Sequence, residues 1–185
     1  AAARSLFGDG KGVIAILGTG SNIAFYDGQK VIHTTPSLGF ILGDEGSGAY
    51  IGRHLIQAYF YNQMPSDLAF KFQSTYNLDL SVVLDNVYSK PKPSSYLASF
   101  VPFIKENIEN EFMRNLVYDI FESLYAKHLR VIPELKDYGL GCVGSVGYVF
   151  KNILEKVARD KGFKIVGFTQ YPIESLIEYH ISKEF

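Results

Sequence analysis

The order of predicted strands and helices indicates an α/β domain with a mixed sheet and a helical insertion. Three observations predict this class: a meander of strands at about 12–35, a block of helical patterns at about 46–137, and a strand–helix–strand pattern at about 140–180. The chain has 185 residues, which is enough for one domain with a sizeable core or for one large lobe of a bigger protein.

Short apolar runs separated by turn signals predict the meander. Residues 13–17 are apolar and bounded by glycines, a pattern typical of a buried central strand. Residues 22–26 and 30–34 continue the pattern as the second and third strands. The dipeptide Asp27-Gly28 predicts a tight two-residue hairpin between them, so all three strands are expected to be antiparallel.

Apolar residues recur at helical spacing in the middle of the chain. The predicted helices cover residues 46–61, a segment that starts at 65 with Ser66 as its N-cap, and residues 77–88, 96–109 and 111–135. Pro91 and Pro93 separate two of them, and Pro133 ends or kinks the last one. This block interrupts the strands and forms the predicted insertion.

The last part of the chain returns to strands. Residues 140–143 predict a second buried strand, which leads into the glycine-rich turn GSVG. The elements expected after it are an amphipathic helix at 148–161 closed by Gly162, a strand at 164–168 and a short helix at 172–179.

Composition and charge exclude several classes of function. A net charge of -1 gives no general attraction to nucleic acid or anionic lipid, so local backbone geometry must hold any bound phosphate. The longest apolar runs are too short to span a membrane, and no secretory segment opens the chain. The single cysteine, Cys142, rules out an internal disulfide and a cysteine cluster. A protein without disulfides is typical of the cytoplasm.

Two glycine-rich segments about twenty residues apart are the candidate site. In the first, LGTGSN at 17–22, Gly18 and Gly20 allow a sharp turn with uncovered N–H groups. Thr19 and Ser21 add hydroxyl donors, so the turn could hold a phosphate without a lysine. It is neither a P-loop nor a dinucleotide fingerprint, because no Gly-Lys-Ser/Thr follows and the next element is a strand. An ordinary hairpin turn rich in small residues is the alternative.

The second segment, LGDEGSG at 42–48, places three glycines around the adjacent acids Asp44 and Glu45 at a predicted helix start. Carboxylates there are favoured by the helix dipole, so helix capping is one interpretation. A cap needs one acid only. The other could accept hydrogen bonds from ligand hydroxyls or hold a hydrated magnesium ion.

The GSVG turn at 144–147 is a third candidate. Gly144 and Ser145 precede a helix, which suits the phosphate or ribose of a nucleotide, although a tight strand-to-helix connection explains them equally well. Cys142 is expected to be a small buried hydrophobe. The four histidines lack metal-ligand spacing, so no metal site is predicted. The aromatic residues of the helical block are expected to fill the core or contact another lobe, which leaves a homodimer open.

The order of three motifs resembles the sugar-kinase, Hsp70 and actin superfamily of ATPases. These motifs are a strand–GTGS–strand unit, the segment GDEGSGAYIG and a late strand–GS–helix unit. Within this superfamily, the chain looks like the N-acetylglucosamine kinase group of the BadF/BadG-type ATPases. The resemblance covers essentially the whole chain, as a C-terminal lobe. It implies a ribonuclease-H-like lobe that closes with a second lobe over ATP and Mg²⁺, and a γ-phosphoryl transfer to a sugar hydroxyl.

The resemblance also assigns ligand contacts to residues of this chain. It implies that LGTGSN binds the β- and γ-phosphates, that GSVG binds the adenosine side of the nucleotide, and that the sugar lies near Asp44. The implied ATP-binding residues are Gly18, Thr19, Gly20, Ser21, Gly144 and Ser145. The implied substrate-binding residues are Asn22, Leu38, Gly39, Asp44 and Glu45. The family often has a tryptophan where this chain has Leu38, so the contacts to the sugar are expected to differ.

Two family elements have no counterpart in this sequence: the first phosphate loop, and the catalytic aspartate that precedes an alanine-rich helix like the segment at Ala1. We therefore expect a piece of a two-lobed kinase that is inactive without its N-terminal lobe. Two alternatives stay open. One is a non-catalytic module that binds a sugar or nucleotide. The other is an ATPase activator with a bridging iron–sulfur cluster, which the lone Cys142 disfavours.

Overall fold

A five-stranded mixed sheet forms the centre of the computed structural model, which describes residues 2–171. The strands are β1 Gly12–Leu17, β2 Ser21–Tyr26, β3 Val31–Thr34, β4 Leu140–Val143 and β5 Ile165–Thr169. Their order is β3-β2-β1-β4-β5, so β3 and β5 are the two edges. β1 and β2 are antiparallel, as are β2 and β3, whereas β4 is parallel to β1 and β5 is parallel to β4. The predicted α/β class, mixed sheet and antiparallel meander are confirmed.

The hairpin between β2 and β3 is present, but its turn is longer than predicted. Tyr26 pairs with Val31, which leaves a four-residue loop instead of a two-residue one. Asp27 closes this loop, because its Oδ1 accepts hydrogen bonds from the backbone N–H of Gln29 at 2.9 Å and of Lys30 at 2.8 Å. The aspartate side chain therefore sets the turn in place of the Asp-Gly backbone.

Eleven α-helices and one π-helix surround the sheet in residues 2–171. The first six are α1 Ala2–Phe7, α2 Gly39–Leu42, α3 Gly48–Phe60, α4 Ser66–Tyr76, α5 Leu80–Tyr88 and α6 Pro93–Ala98. The others are α7 Val101–Glu106, α8 Glu111–Leu124, the π-helix Tyr125–Leu129, α9 Leu135–Tyr138, α10 Ser145–Val149 and α11 Lys151–Lys161. The helix predicted at 172–179 lies outside the described residues.

Several predicted helix boundaries are wrong. Ser66 is the first residue of α4 and makes no capping bond, because Pro65 occupies the N-cap position. The helix predicted at 96–109 is two helices, α6 and α7. Pro102 explains the break, since its ring would clash with the carbonyl of Ala98, four residues earlier, in one continuous helix.

Two other predicted helices also start elsewhere. α5 begins at Leu80 and not at 77, since Asn77 ends α4 in a left-handed conformation and Asp79 caps α5 through the N–H of Ser81. The helix predicted at 148–161 is divided at Phe150 into α10 and α11. Its predicted end is confirmed, because Gly162 adopts the left-handed conformation that closes α11.

The sheet separates two hydrophobic layers. Val13, Ala15 and Leu17 of β1 face the main core, which the helical block fills, whereas Ile14 faces a smaller cluster with Ala3 of α1. This alternation follows from the two-residue period of a strand. The glycine-rich turns leave the sheet where β1 and β4 end, so both lie at one edge of the core.

Candidate functional site

The LGTGSN turn connects β1 to β2 and presents free amide groups. Leu17 pairs with Ser21, and the N–H of Gly18 donates to the carbonyl oxygen of Gly20 at 3.0 Å. The carbonyls of Gly18 and Thr19 are fixed from behind, because they accept hydrogen bonds from the first residues of α3 at 2.7 and 3.1 Å. In residues 2–171 no acceptor meets the N–H of Thr19 or of Gly20. The turn therefore offers two donors to a ligand.

Asp44 lies directly against this turn. A methyl group added to Gly20 would lie 3.0 Å from Oδ2 of Asp44, so the two glycine-rich segments meet at these residues. Asp44 has a backbone φ of 59°, which is uncommon outside glycine. The cap of α3 is Ser47, whose Oγ accepts from the N–H of Tyr50 at 3.1 Å. Neither acid is therefore needed as a cap.

Glu45 points away from the turn into the protein, where its side chain is 4% exposed. Its Oε1 accepts from Nζ of Lys127 at 2.7 Å, and its Oε2 accepts from Nε2 of His128 at 2.8 Å. Burial alone would raise the pKa of Glu45, but the bonds from His128 and Lys127 outweigh it and the pKa falls below its ordinary value. Glu45 is therefore an ionised carboxylate with both oxygens engaged.

The partners of Glu45 come from the π-helix that follows α8. A π-helix has a wider turn than an α-helix and commonly marks functional sites. Here it places Lys127 and His128, which are adjacent in sequence, on the same carboxylate. The sequence shows no metal-ligand spacing around His128, and no local signal indicates a partner 83 residues away.

A cavity of about 480 Å³ opens beside the LGTGSN turn. Gly18 and Thr19 form one side of it, and Ser145 of α10 forms another. Lys105 and Glu106, from the end of α7, add an ammonium and a carboxylate to the wall. Sequence reasoning missed these two residues, because the helix predicted at 96–109 places both in its interior, whereas α7 ends at Glu106.

The turn at Gly144 is tightly packed. Its φ is 113°, and a methyl group there would lie 2.4 Å from the carbonyl oxygen of Leu17, so only glycine fits against the end of β1. The helix α10 begins at the next residue, Ser145, so three of the four residues of GSVG are helical. Gly144 lets the polypeptide cross the end of β1 and brings Ser145 to the cavity.

The other predicted substrate residues lie in two different places. Leu38 and Gly39 belong to the segment between β3 and Asp44, where the Leu38 side chain is 59% exposed. Asn22 lines a separate cavity with Ile14 and Ala24, on the face of the sheet that carries α1. The structure thus brings together Gly18, Thr19 and Ser145 at one cavity, and Gly20 and Asp44 at one contact, but not Asn22.

The sheet, the free amides and the adjacent carboxylate belong to a mixed α/β fold. The chain is similar over 100% of its length to a protein from Porphyromonas gingivalis named "putative N-acetylglucosamine kinase", with 36% identity and a TM-score of 0.94. A "putative N-acetylglucosamine kinase" from Chromobacterium violaceum matches 96% of the chain with a TM-score of 0.71; at 19% identity, this likeness shows the fold alone. The resemblance to N-acetylglucosamine kinases that the motifs indicated is confirmed.

The chain spans 65% of the Porphyromonas protein and 62% of the Chromobacterium protein. No family model and no curated protein matches it. None of the helices in residues 2–171 combines the length and apolar character needed to cross a membrane.

Proposed function

We propose that the chain is the C-terminal lobe of an ATP-dependent kinase that phosphorylates N-acetylglucosamine or a related sugar. One observation carries the proposal: the Asp44 carboxylate lies against Gly20, in a turn with two unpaired amide donors. A phosphoryl transfer requires a phosphate site and a hydroxyl site in contact. The similarity to the Porphyromonas protein supports the assignment, and the strand order β3-β2-β1-β4-β5 supports a ribonuclease-H-like lobe.

The LGTGSN turn and the adjacent cavity fit a nucleotide. The N–H groups of Thr19 and Gly20 would donate to phosphate oxygens, as backbone amides do in many phosphate sites. A methyl group on Gly18 would meet no atom within 4 Å, so the turn leaves open space on its cavity side. The cavity, with Ser145 and Lys105 on its wall, has the size of a small-molecule site and would hold the nucleoside.

ATP would supply the γ-phosphoryl group, and Mg²⁺ would neutralise the charge of its phosphates. In the described residues no group of three or more acidic, histidine or cysteine side chains could hold a metal ion. We therefore assign Mg²⁺ to the nucleotide's phosphates, because this ion usually keeps several waters and few protein ligands.

Asp44 is the proposed sugar-binding carboxylate. Its half-buried side chain could accept hydrogen bonds from two sugar hydroxyls and orient the reacting one toward the phosphates. Leu38 and Gly39 would form the other side of the sugar site. The resemblance assigns the general base to an aspartate that precedes Ala1 in the whole protein, which therefore needs both lobes. Because ATP is the proposed phosphoryl donor, we propose that the protein acts in the cytoplasm.

Full-length protein incubated with ATP, Mg²⁺ and a panel of amino sugars tests the proposal. We expect a sugar phosphate and an equal amount of ADP. Asp44→Asn should lower kcat/KM for the sugar by about 10- to 100-fold, the effect of losing a hydrogen bond to a charged group, and leave the KM for ATP unchanged. The matched control is Asp67→Asn, an exposed acid in the first turn of α4. The kinase assignment fails if no sugar in the panel is phosphorylated.

The position of Cys142 does not support the alternative of an ATPase activator with a bridging iron–sulfur cluster. The thiol is buried in β4, and burial raises its pKa to about 12. An iron–sulfur cluster requires thiolate ligands at an accessible junction. Absence of iron from full-length protein purified anaerobically is the expected result.

A further inference from the structure

His128 joins two residues that are far from it in sequence but close to each other in space. Its Nε2 lies 2.8 Å from Oε2 of Glu45, and its Nδ1 lies 3.1 Å from Oγ1 of Thr35. Glu45 can only accept, so Nε2 carries a proton and donates to it. In the neutral imidazole, Nδ1 then accepts from the Thr35 hydroxyl, and both ring nitrogens are used.

Thr35 and Glu45 enclose one segment, residues 36–44. This segment, which we name the substrate loop, contains Leu38, Gly39 and Asp44, three of the residues assigned to the sugar. Thr35 is a buried polar residue whose N–H donates to the carbonyl of Ile23, so the first end of the loop is attached to β2. His128 therefore connects the two ends of the loop to each other and to the π-helix.

Arg53 of α3 holds the middle of the same loop. Its Nη1 donates to the carbonyl oxygens of Phe40 and Ile41, at 3.2 and 3.1 Å, near the end of α2. The outer side chains of the loop are exposed: Leu38, Ile41 and Leu42. The loop is therefore fixed through its base and backbone, while its tip remains available for contact.

We propose that His128 and Thr35 are positioning residues that fix the substrate loop and thereby set the affinity for the sugar. The inference rests on the proposed function. Fixing the ends of a flexible segment removes conformational freedom that a ligand would otherwise have to restrict on binding. Loss of the bridge should therefore loosen residues 36–44 and weaken sugar binding, while the nucleotide site, on the other side of the LGTGSN turn, is unaffected.

Thr35→Val in the full-length protein tests the bridge, because it removes the hydroxyl and preserves the shape of a buried side chain. We expect amide hydrogen exchange to accelerate in residues 36–44 and to stay unchanged in α8. The KM for the sugar should rise about 2- to 10-fold, the effect of one hydrogen bond, with the KM for ATP unchanged. Thr35→Ser keeps the hydroxyl and should retain wild-type values. His128→Phe, which keeps a ring and removes both nitrogens, should reproduce the effect of Thr35→Val on exchange in 36–44 and on the sugar KM.

The two proposals fail in different ways. If the wild-type protein phosphorylates no sugar, the proposed function is overturned, and hydrogen exchange alone decides whether the loop is anchored. If the wild-type protein is active and Thr35→Val changes neither exchange in 36–44 nor the sugar KM, the positioning role of His128 and Thr35 is overturned. A general loss of stability, with exchange rising equally in α8 and in the loop, overturns it as well.

Discussion

Replacing Gly52 with alanine should destabilise the protein by pushing α3 and α6 apart. An added methyl group would lie 1.8 Å from the carbonyl oxygen of Leu97, whereas ordinary contact begins at 3.4 Å, so the helices must separate by about 1.6 Å. Overpacking costs about 1–3 kcal/mol, and the obstructing atom is backbone, which favours the upper end. The better helix propensity of alanine returns about 1 kcal/mol. The net loss is about 2 kcal/mol.

Thermal unfolding followed by circular dichroism measures this loss. For a chain of 185 residues, 2 kcal/mol corresponds to a fall in Tm of about 4–8 °C. Gly18→Ala is the control, because its methyl group would meet no atom within 4 Å and should shift the unfolding free energy by less than about 0.5 kcal/mol. That control should instead weaken ATP binding, since the methyl group enters the nucleotide cavity. Equal Tm values for Gly52→Ala and wild type would refute the packing argument.

Three further predictions concern the site and the core. Gly20→Ala should raise the sugar KM with little change in Tm, because its methyl group would press only on the movable carboxylate of Asp44, and steady-state kinetics with a melting curve measures both. The pKa of Glu45 is lower in the folded state than its ordinary value of 4.5, so the ionised carboxylate stabilises the protein fully above pH 4.5 and this stabilisation is lost as the pH falls further. In Glu45→Gln the free energy of unfolding should therefore depend less on pH below 4.5, which denaturant titrations at several pH values measure. Cys142 should resist alkylation in the native protein and react fully in denaturant, as mass spectrometry would detect, because burial raises its pKa to about 12.

The strands were predictable because their signals are local. The apolar run at 13–17 between glycines and the run at 140–143 both mark buried strands, and both lie within a residue of the observed bounds. Helix breaks were harder to predict, because the apolar spacing of a helix continues across them. Pro102 divides the helix predicted at 96–109, and it was visible in the sequence as a proline inside a helical pattern.

The glycine-rich turns of the candidate site were predictable from the sequence, but the side-chain contacts around them were not. The density of glycine around Thr19 and Asp44 indicates that the backbone must turn sharply at both places. The contacts of Glu45 with Lys127 and His128 depend on a π-helix and on a fold that brings together residues more than 80 positions apart. No periodicity in the sequence encodes such a pair, so the role of the second acid needed the structure.

The outer strand β3 has a consequence for association between copies of the protein. Its residues Val31–Thr34 are all exposed, and Val31 and Ile32 place apolar side chains there. An uncovered edge strand can add a strand from another molecule and start aggregation. Here the strand is only four residues long, with Lys30 before it and Pro36 shortly after it. The charge of Lys30 limits edge-to-edge pairing, and Pro36, which has no N–H to donate, limits pairing beyond the end of the strand.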